Sequence, residues 1–299
     1  MQSLGQVKKM KISELLSSEK IGISCELFPP KIGSQLANVK EVVKEMADLK
    51  PSYMSITYGA TGGTSEYTVD IANEIQNVNH IPALAHLTCA SSGREKVHEV
   101  IEELKEAHIE NILALRGDIP ENADFTLQRD YKYAGELIYD IKAQGDFCIG
   151  GACYPEGHPE AKTMEEDLIH LKDKVDAGCD FLTTQMFFDN NIYYNFMYKV
   201  LQKNITVPVI PGIMPVTNSG QIKKIISLSG NMVPPRFKAI VDRFADNPAA
   251  MRQAGIAYAA EQMIDLIANG VNHIHIYTMN KPGVAGEIFN LLSEIYVRD

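Results

Sequence analysis

The chain has no CxxC pair, and its five cysteines (Cys25, Cys89, Cys148, Cys153, Cys179) are odd in number. Neither a disulfide framework nor a zinc site is therefore indicated. Positive charge is scarce: 28 Lys and Arg face 38 Asp and Glu, for a net charge of −10. With no basic stripe to offset that repulsion, nucleic acid and anionic membrane surfaces are unfavourable partners. A local Arg or a helix N-terminus can still bind an anionic ligand. No apolar run approaches the length of a membrane span. Behind Lys8, Lys9 and Lys11 there is neither an apolar h-region nor a cleavage-like site. A reducing cytoplasm is the expected compartment. GxGxxG, Walker A, GxSxG and HExxH motifs are absent. So are low-complexity tracts and Pro/Gly/Ser linkers, and residues 1–299 read as one domain, with 1–20 a polar arm and helix.

What is present is a rhythm. A hydrophobic fraction of 45% and a charged fraction of 22% suit a soluble globular protein. Short apolar runs at 21–27, 52–57, 82–88, 109–115, 147–153, 180–186, 207–213 and 273–277 predict eight strands. Helical periodicity fills the intervals at 35–49, 65–78, 94–107, 133–143, 163–177 and 192–202. Extra helices near 219–228, 234–245 and 248–268 precede the last strand, and 286–296 closes the chain. This order is expected of an α/β (β/α)8 TIM barrel. The competitor is a doubly wound open sheet, but its first strand–helix turn should carry the missing GxGxxG.

In a barrel all strand ends open on one face. That face would gather Glu26, Thr57 and Tyr58, His86, Arg116-Gly117-Asp118, Tyr154 with His158, Gln185, Gly212, Tyr277 and Thr278. Ile112-Leu113-Ala114-Leu115 before Arg116-Gly117-Asp118 is the clearest such junction: a buried strand, then a guanidinium, a glycine and a carboxylate. Glu26 interrupts an apolar strand just before Phe28-Pro29-Pro30. A carboxylate there loses hydration, which disfavours its charged form and suits a general acid; pairing with a buried Arg or Lys for structure is the other reading. His273 and His275 share a strand face without further ligands nearby, so no metal is expected. Asp167, His170 and Lys174 share one helix face. That face is either solvated or tracks a long polar ligand such as a dinucleotide out of the mouth.

These residues carry a family likeness. Glu26-Leu27-Phe28-Pro29-Pro30-Lys31, Thr57-Tyr58-Gly59-Ala60 with Gly62-Gly63, His86-Leu87-Thr88-Cys89 and Ala114-Leu115-Arg116-Gly117-Asp118 come first. Tyr154-Pro155-Glu156-Gly157-His158-Pro159-Glu160-Ala161, Lys174-Val175-Asp176-Ala177-Gly178, Gln185-Met186-Phe187-Phe188-Asp189, Pro211-Gly212-Ile213-Met214-Pro215 and Tyr277-Thr278-Met279-Asn280 follow in order. From about residue 12 to 297 the chain resembles the flavin-dependent methylenetetrahydrofolate reductases of the short bacterial type, which consists of the catalytic barrel alone.

The resemblance implies tightly bound, non-covalent FAD and ping-pong reduction of 5,10-methylenetetrahydrofolate to 5-methyltetrahydrofolate, with NADH or NADPH as co-substrate. By analogy Glu26 protonates N10 of the folate and opens its five-membered ring. Asp118 is the carboxylate beside the flavin that also grips the pterin, and Gln185 and Lys281 contact substrate. FAD contacts carried over are Thr57, Tyr58, Ala60, His86, Arg116, Gly117, Asp118, Tyr133, Ala134, Tyr154, His158, Ala161, Asp167, His170 and Lys174. The partners implied are the folate and further copies of the chain in a homo-oligomer. Three departures stand out: Ser219 replaces a Phe, Asp173 an Arg with His170 an Asn, and Lys281 an Arg, which loses the bidentate fork. They leave room for the same chemistry with ferredoxin or a partner subunit as donor, or for a non-catalytic barrel subunit.

Overall fold

In a computed structural model, residues 10–30, 32–58, 66–90, 92–118, 130–222, 225 and 231–296 are described. Among these residues nine strands form one parallel sheet: β1 (Gly22–Leu27), β2 (Met54–Ile56), β3 (Ala83–Thr88), β4 (Asn111–Leu115), β5 (Cys148–Cys153), β6 (Phe181–Thr184), β7 (Val209–Ile210), β8 (Gly212–Ile213) and β9 (His273–Tyr277). Each pairs with the next in sequence from β1 to β7, while β9 joins β1 to β8.

The ring closes through the seventh of the expected strands, which is two short ones. Pro211 separates them because proline has no N–H for the ladder. Before it, Val209 and Ile210 lie opposite Leu182 and Thr183; after it, Gly212 and Ile213 lie opposite His275 and Ile276. His275 N–H donates to the Pro211 carbonyl at 2.9 Å, which carries the pairing across the break. The result is a (β/α)8 barrel with its seventh strand shared between two neighbours.

Alternation along each strand sorts the side chains. Inward-facing Leu84, Leu113, Cys148, Phe181 and Ile210 cluster with Tyr53 inside the ring. Ile12 and Leu16 of α1 (Ile12–Leu16) plug that cluster at the strands' amino ends, where Ile12 N–H donates to Asn111 Oδ1 at 2.8 Å. Outward-facing Ile23, Cys25, Leu27, Ile112, Ala114, Ile274 and Ile276 belong to the larger core beneath the helices. Those helices are α2 (Leu36–Ala47), α3 (Glu66–Asn73), α4 (Arg94–Glu106), α5 (Ala134–Gln144), α6 (Met164–Asp176) and α7 (Asn190–Gln202).

Two of the three additional helices expected before the last strand are α8 (Pro235–Phe244) and α9 (Pro248–Ala268). The expected helix at 219–228 falls partly outside the described residues. The final helix, α10 (Pro282–Leu291), begins four residues earlier than periodicity predicts. Pro282 takes its first turn, where no N–H is needed. No helix among the described residues is long and apolar enough to cross a membrane.

Helix α9 sits on the chain leaving β8 at one narrow point. A Cβ placed on Gly255 would lie 1.8 Å from the Val216 carbonyl oxygen. At Gly286 of α10 the nearest atom to such a Cβ is 3.7 Å away. Gly255→Ala should therefore cost at least about 1–3 kcal/mol through overpacking, while Gly286→Ala should be neutral or stabilising by about 0.4–1 kcal/mol. Thermal unfolding of both variants checks this; equal shifts would contradict the close contact.

Candidate active site

A cavity of about 930 Å³ opens at the carboxyl ends of the strands. Its floor is polar although the strands beneath are apolar. Glu26, 8% exposed, comes from the inward face of β1. Its Oε2 lies 3.7 Å from His86 Nε2 on β3 and 3.9 Å from His275 Nε2 on β9. His275 Nδ1 is 2.7 Å from Ser24 Oγ, which fixes that ring. His86 Nε2 is buried with no hydrogen-bond partner among the described residues. Burial pushes the His86 pKa down to about 4, against a smaller upward pull from Glu26. His86 is thus neutral at physiological pH. Tyr277, on the adjoining wall, donates to the Thr184 carbonyl at 2.5 Å.

The mouth is set by Arg116-Gly117-Asp118 at the end of β4. The Arg116 carbonyl accepts from Cys89 N–H at 3.2 Å and Ala90 N–H at 2.7 Å, anchoring the turn to the end of β3. Gly117 has φ +81°, and a Cβ there would also come within 2.9 Å of Thr88. Only glycine meets both conditions without strain. Asp118 is exposed at the rim. Arg116 reaches across to form a two-pronged pair with Glu160, at 2.6 and 2.7 Å. This hydrogen bonding holds the Glu160 carboxyl below its usual range.

From there the cavity runs along α6. His158 N–H donates to Asp167 Oδ2 at 3.1 Å, and the His158 ring meets Tyr154 edge-on at 4.6 Å. Burial lowers the proton affinity of His158 and of Lys174, whose ammonium donates to the Ala152 carbonyl. Burial raises the Tyr154 pKa to about 12. At the outer end Tyr133, at the N-terminus of α5, stacks on His170 with 5.5 Å between ring centres. Asp173 lies 3.8 Å from His170 Nδ1.

Glu26, Thr57, Tyr58, His86, Arg116, Gly117, Asp118, Tyr133, Ala134, Tyr154, His158, Ala161, Asp167, His170, Lys174 and Gln185 all line this one cavity. Ala60 lies outside the described residues. Lys281 does not line it: its ammonium donates to Thr217 Oγ1 at 3.2 Å. Ser219 is likewise away from the wall, with its hydroxyl directed to the Ala245 carbonyl at 3.5 Å. Sequence reasoning missed Glu160, the counter-charge of Arg116. It also considered His275 as a metal ligand and gave it no place at the mouth, although His275 shares strand parity with Tyr277, a signal that could have placed it there.

The family model for methylenetetrahydrofolate reductase matches residues 11–293. A maize methylenetetrahydrofolate reductase (NADH) is 37% identical over 295 residues, covering 94% of this chain and 50% of the plant protein. The 5,10-methylenetetrahydrofolate reductase of Pectobacterium carotovorum is 34% identical over 273 residues, covering 91% and 90%. The chain thus spans about half the length of the maize protein and nine-tenths of the bacterial one. Among solved structures, a Clostridium thermocellum protein that binds two copies of 5-methyl-5,6,7,8-tetrahydrofolic acid superposes with a TM-score of 0.61 at 14% identity. It covers 96% of this chain and 99% of its own, a likeness of fold alone. With the motifs in order and the match nearly end to end, the chain belongs to the methylenetetrahydrofolate reductase family.

Proposed function

We propose that this protein is an FAD-dependent reductase that converts 5,10-methylenetetrahydrofolate to 5-methyltetrahydrofolate with electrons from NADH or NADPH. The observation that carries the reading is the placement of two carboxylates, Glu26 on the cavity floor and Asp118 at its rim, facing one space. The space suits a dinucleotide. It is large for a ligand pocket, runs from a buried floor to the exposed Tyr133–His170 stack, and offers a cation along its length at Arg116 and again at Lys174. The His86 nitrogen without a hydrogen-bond partner among the described residues and the side-chain-free Gly117 turn mark where a polar ligand would dock. FAD held there would supply two-electron hydride exchange between a nicotinamide and the folate.

The chain's own residues do the rest. Glu26 donates the proton to N10 of the folate, and its near-complete burial keeps water from competing for that proton. His86 stays neutral, so no imidazolium faces Glu26 from β3. Asp118 supplies a negative charge at the rim that tunes a flavin beside it and accepts from pterin N–H groups. The Gln185 Oε1 accepts from Met186 N–H at 3.0 Å, which orients its amide on the wall. Arg116 would exchange Glu160 for ligand phosphate, an inexpensive swap because Glu160 is 59% exposed. Of the departures, Ser219 and Lys281 lie off this wall, while Asp173 and His170 line its outer end, away from Glu26 and the proposed proton transfer.

The purified protein should be yellow, and anaerobic NADH or NADPH should bleach its absorbance near roughly 450 nm. No bleaching with either would reject the nicotinamide as donor. Glu26→Gln should keep the rate of flavin reduction while slowing folate reduction by about 10²–10⁴-fold. Rapid-reaction measurement of the two half-reactions separates these, and unchanged folate turnover would reject Glu26 as the acid.

A further inference from the structure

The ladder between β1 and β9 ends at Glu26 opposite Tyr277, and Pro29, without an N–H, follows shortly after β1. The two strand ends are nonetheless joined beyond that point. Asn280 Oδ1 accepts from Phe28 N–H at 2.8 Å, and Asn280 Nδ2 donates to the Phe28 carbonyl at 2.9 Å. A side-chain amide, with one donor and one acceptor, thus stands in for a missing peptide unit. Thr278, itself buried, adds a third tie by donating from Oγ1 to the Glu26 carbonyl at 2.5 Å.

The ties come at a conformational cost. Met279 and Asn280 both adopt left-handed backbone with φ +54°. Asn tolerates this region, but for Met it is strained, and such strain persists only where surroundings over-determine it. Met279 and Phe28 both line the cavity beside Glu26. A costly two-residue turn is therefore held in place against the segment that carries the acid.

We propose that Asn280 is a positioning residue for the folate half-reaction: its amide clamps Phe28 and thereby fixes the carboxylate of Glu26 and the Phe28–Met279 wall. This rests on the reading of Glu26 as the acid. Two variants probe it. Asn280→Gly keeps the left-handed backbone without strain and removes the amide. Asn280→Asp keeps size and conformation but sets a carboxylate oxygen against the Phe28 carbonyl. Backbone hydrogen exchange at Phe28, flavin reduction by NAD(P)H and the limiting folate rate at saturation are measured on the FAD-loaded protein.

Asn280→Gly should speed Phe28 exchange about tenfold or more, Asn280→Asp, which keeps an acceptor for the Phe28 N–H, should speed it less, and both should leave flavin reduction within about twofold. The limiting folate rate should fall by about 10- to 100-fold, the cost of a small misplacement of a reacting group. An unchanged folate rate in both variants, or equal slowing of the two half-reactions, would overturn the proposal. Glu26→Gln run alongside separates the two failures. If it turns over folate normally, the acid assignment is wrong. If it blocks folate reduction while the Asn280 variants do not, only the clamp is wrong.

Discussion

A closed ring of parallel strands allows each side chain one of two destinations, and the site depends on that constraint. Outward residues meet helices, and inward residues near the carboxyl ends share one chamber. Glu26 on β1, His86 on β3, Gln185 after β6 and Tyr277 on β9 lie far apart in sequence but line a single cavity because they face inward at the same end. Closure itself depends on a proline. Pro211 hands the seventh strand from β6 to β9, and a His275 amide bonds its carbonyl. The imidazole of that same His275 lies 3.9 Å from the Glu26 carboxylate.

The chamber is graded from dry to wet. At its floor Glu26 is buried between two imidazoles, one held neutral by burial. At its rim Asp118 and the Arg116–Glu160 pair are in reach of solvent, where charge is cheap and exchangeable. The proposed proton donor and the proposed ligand-gripping carboxylate need those opposite settings. One strand pattern supplies both because depth in the barrel sets exposure.

Much of this was legible in the letters. Apolar runs of strand length located all eight strand positions, and of the residues at their ends Glu26, Thr57, Tyr58, His86, Arg116, Asp118, Tyr154, His158, Gln185 and Tyr277 line the cavity, whereas Gly212 and Thr278 do not. The spacing of Asp167, His170 and Lys174 put them on one helix face, and the structure turns that face to the cavity. What was illegible depends on contacts through space. An apolar run gives no sign that Pro211 will divide a strand between two neighbours. The partnership of Arg116 with Glu160 spans 44 residues, and that of Asn280 with Phe28 spans 252. Lys281 follows the strand end closely in sequence, yet its side chain turns to Thr217 instead of the cavity. Proximity along the chain does not fix where a long side chain points. The early start of α10 was readable, since Pro282 carries the signature of a first helical turn.

On this proposal one barrel mouth presents Glu26 and the rim carboxylate of Asp118 to the same bound flavin. A crystal structure of the protein purified with FAD tests it most directly. The flavin ring should lie across the strand ends, in contact with Asp118 and with the Glu26 carboxyl facing the same open space, and the adenosine end near Tyr133 and His170. A flavin bound anywhere else, or a ring that leaves Glu26 sealed away from the substrate face, would contradict it.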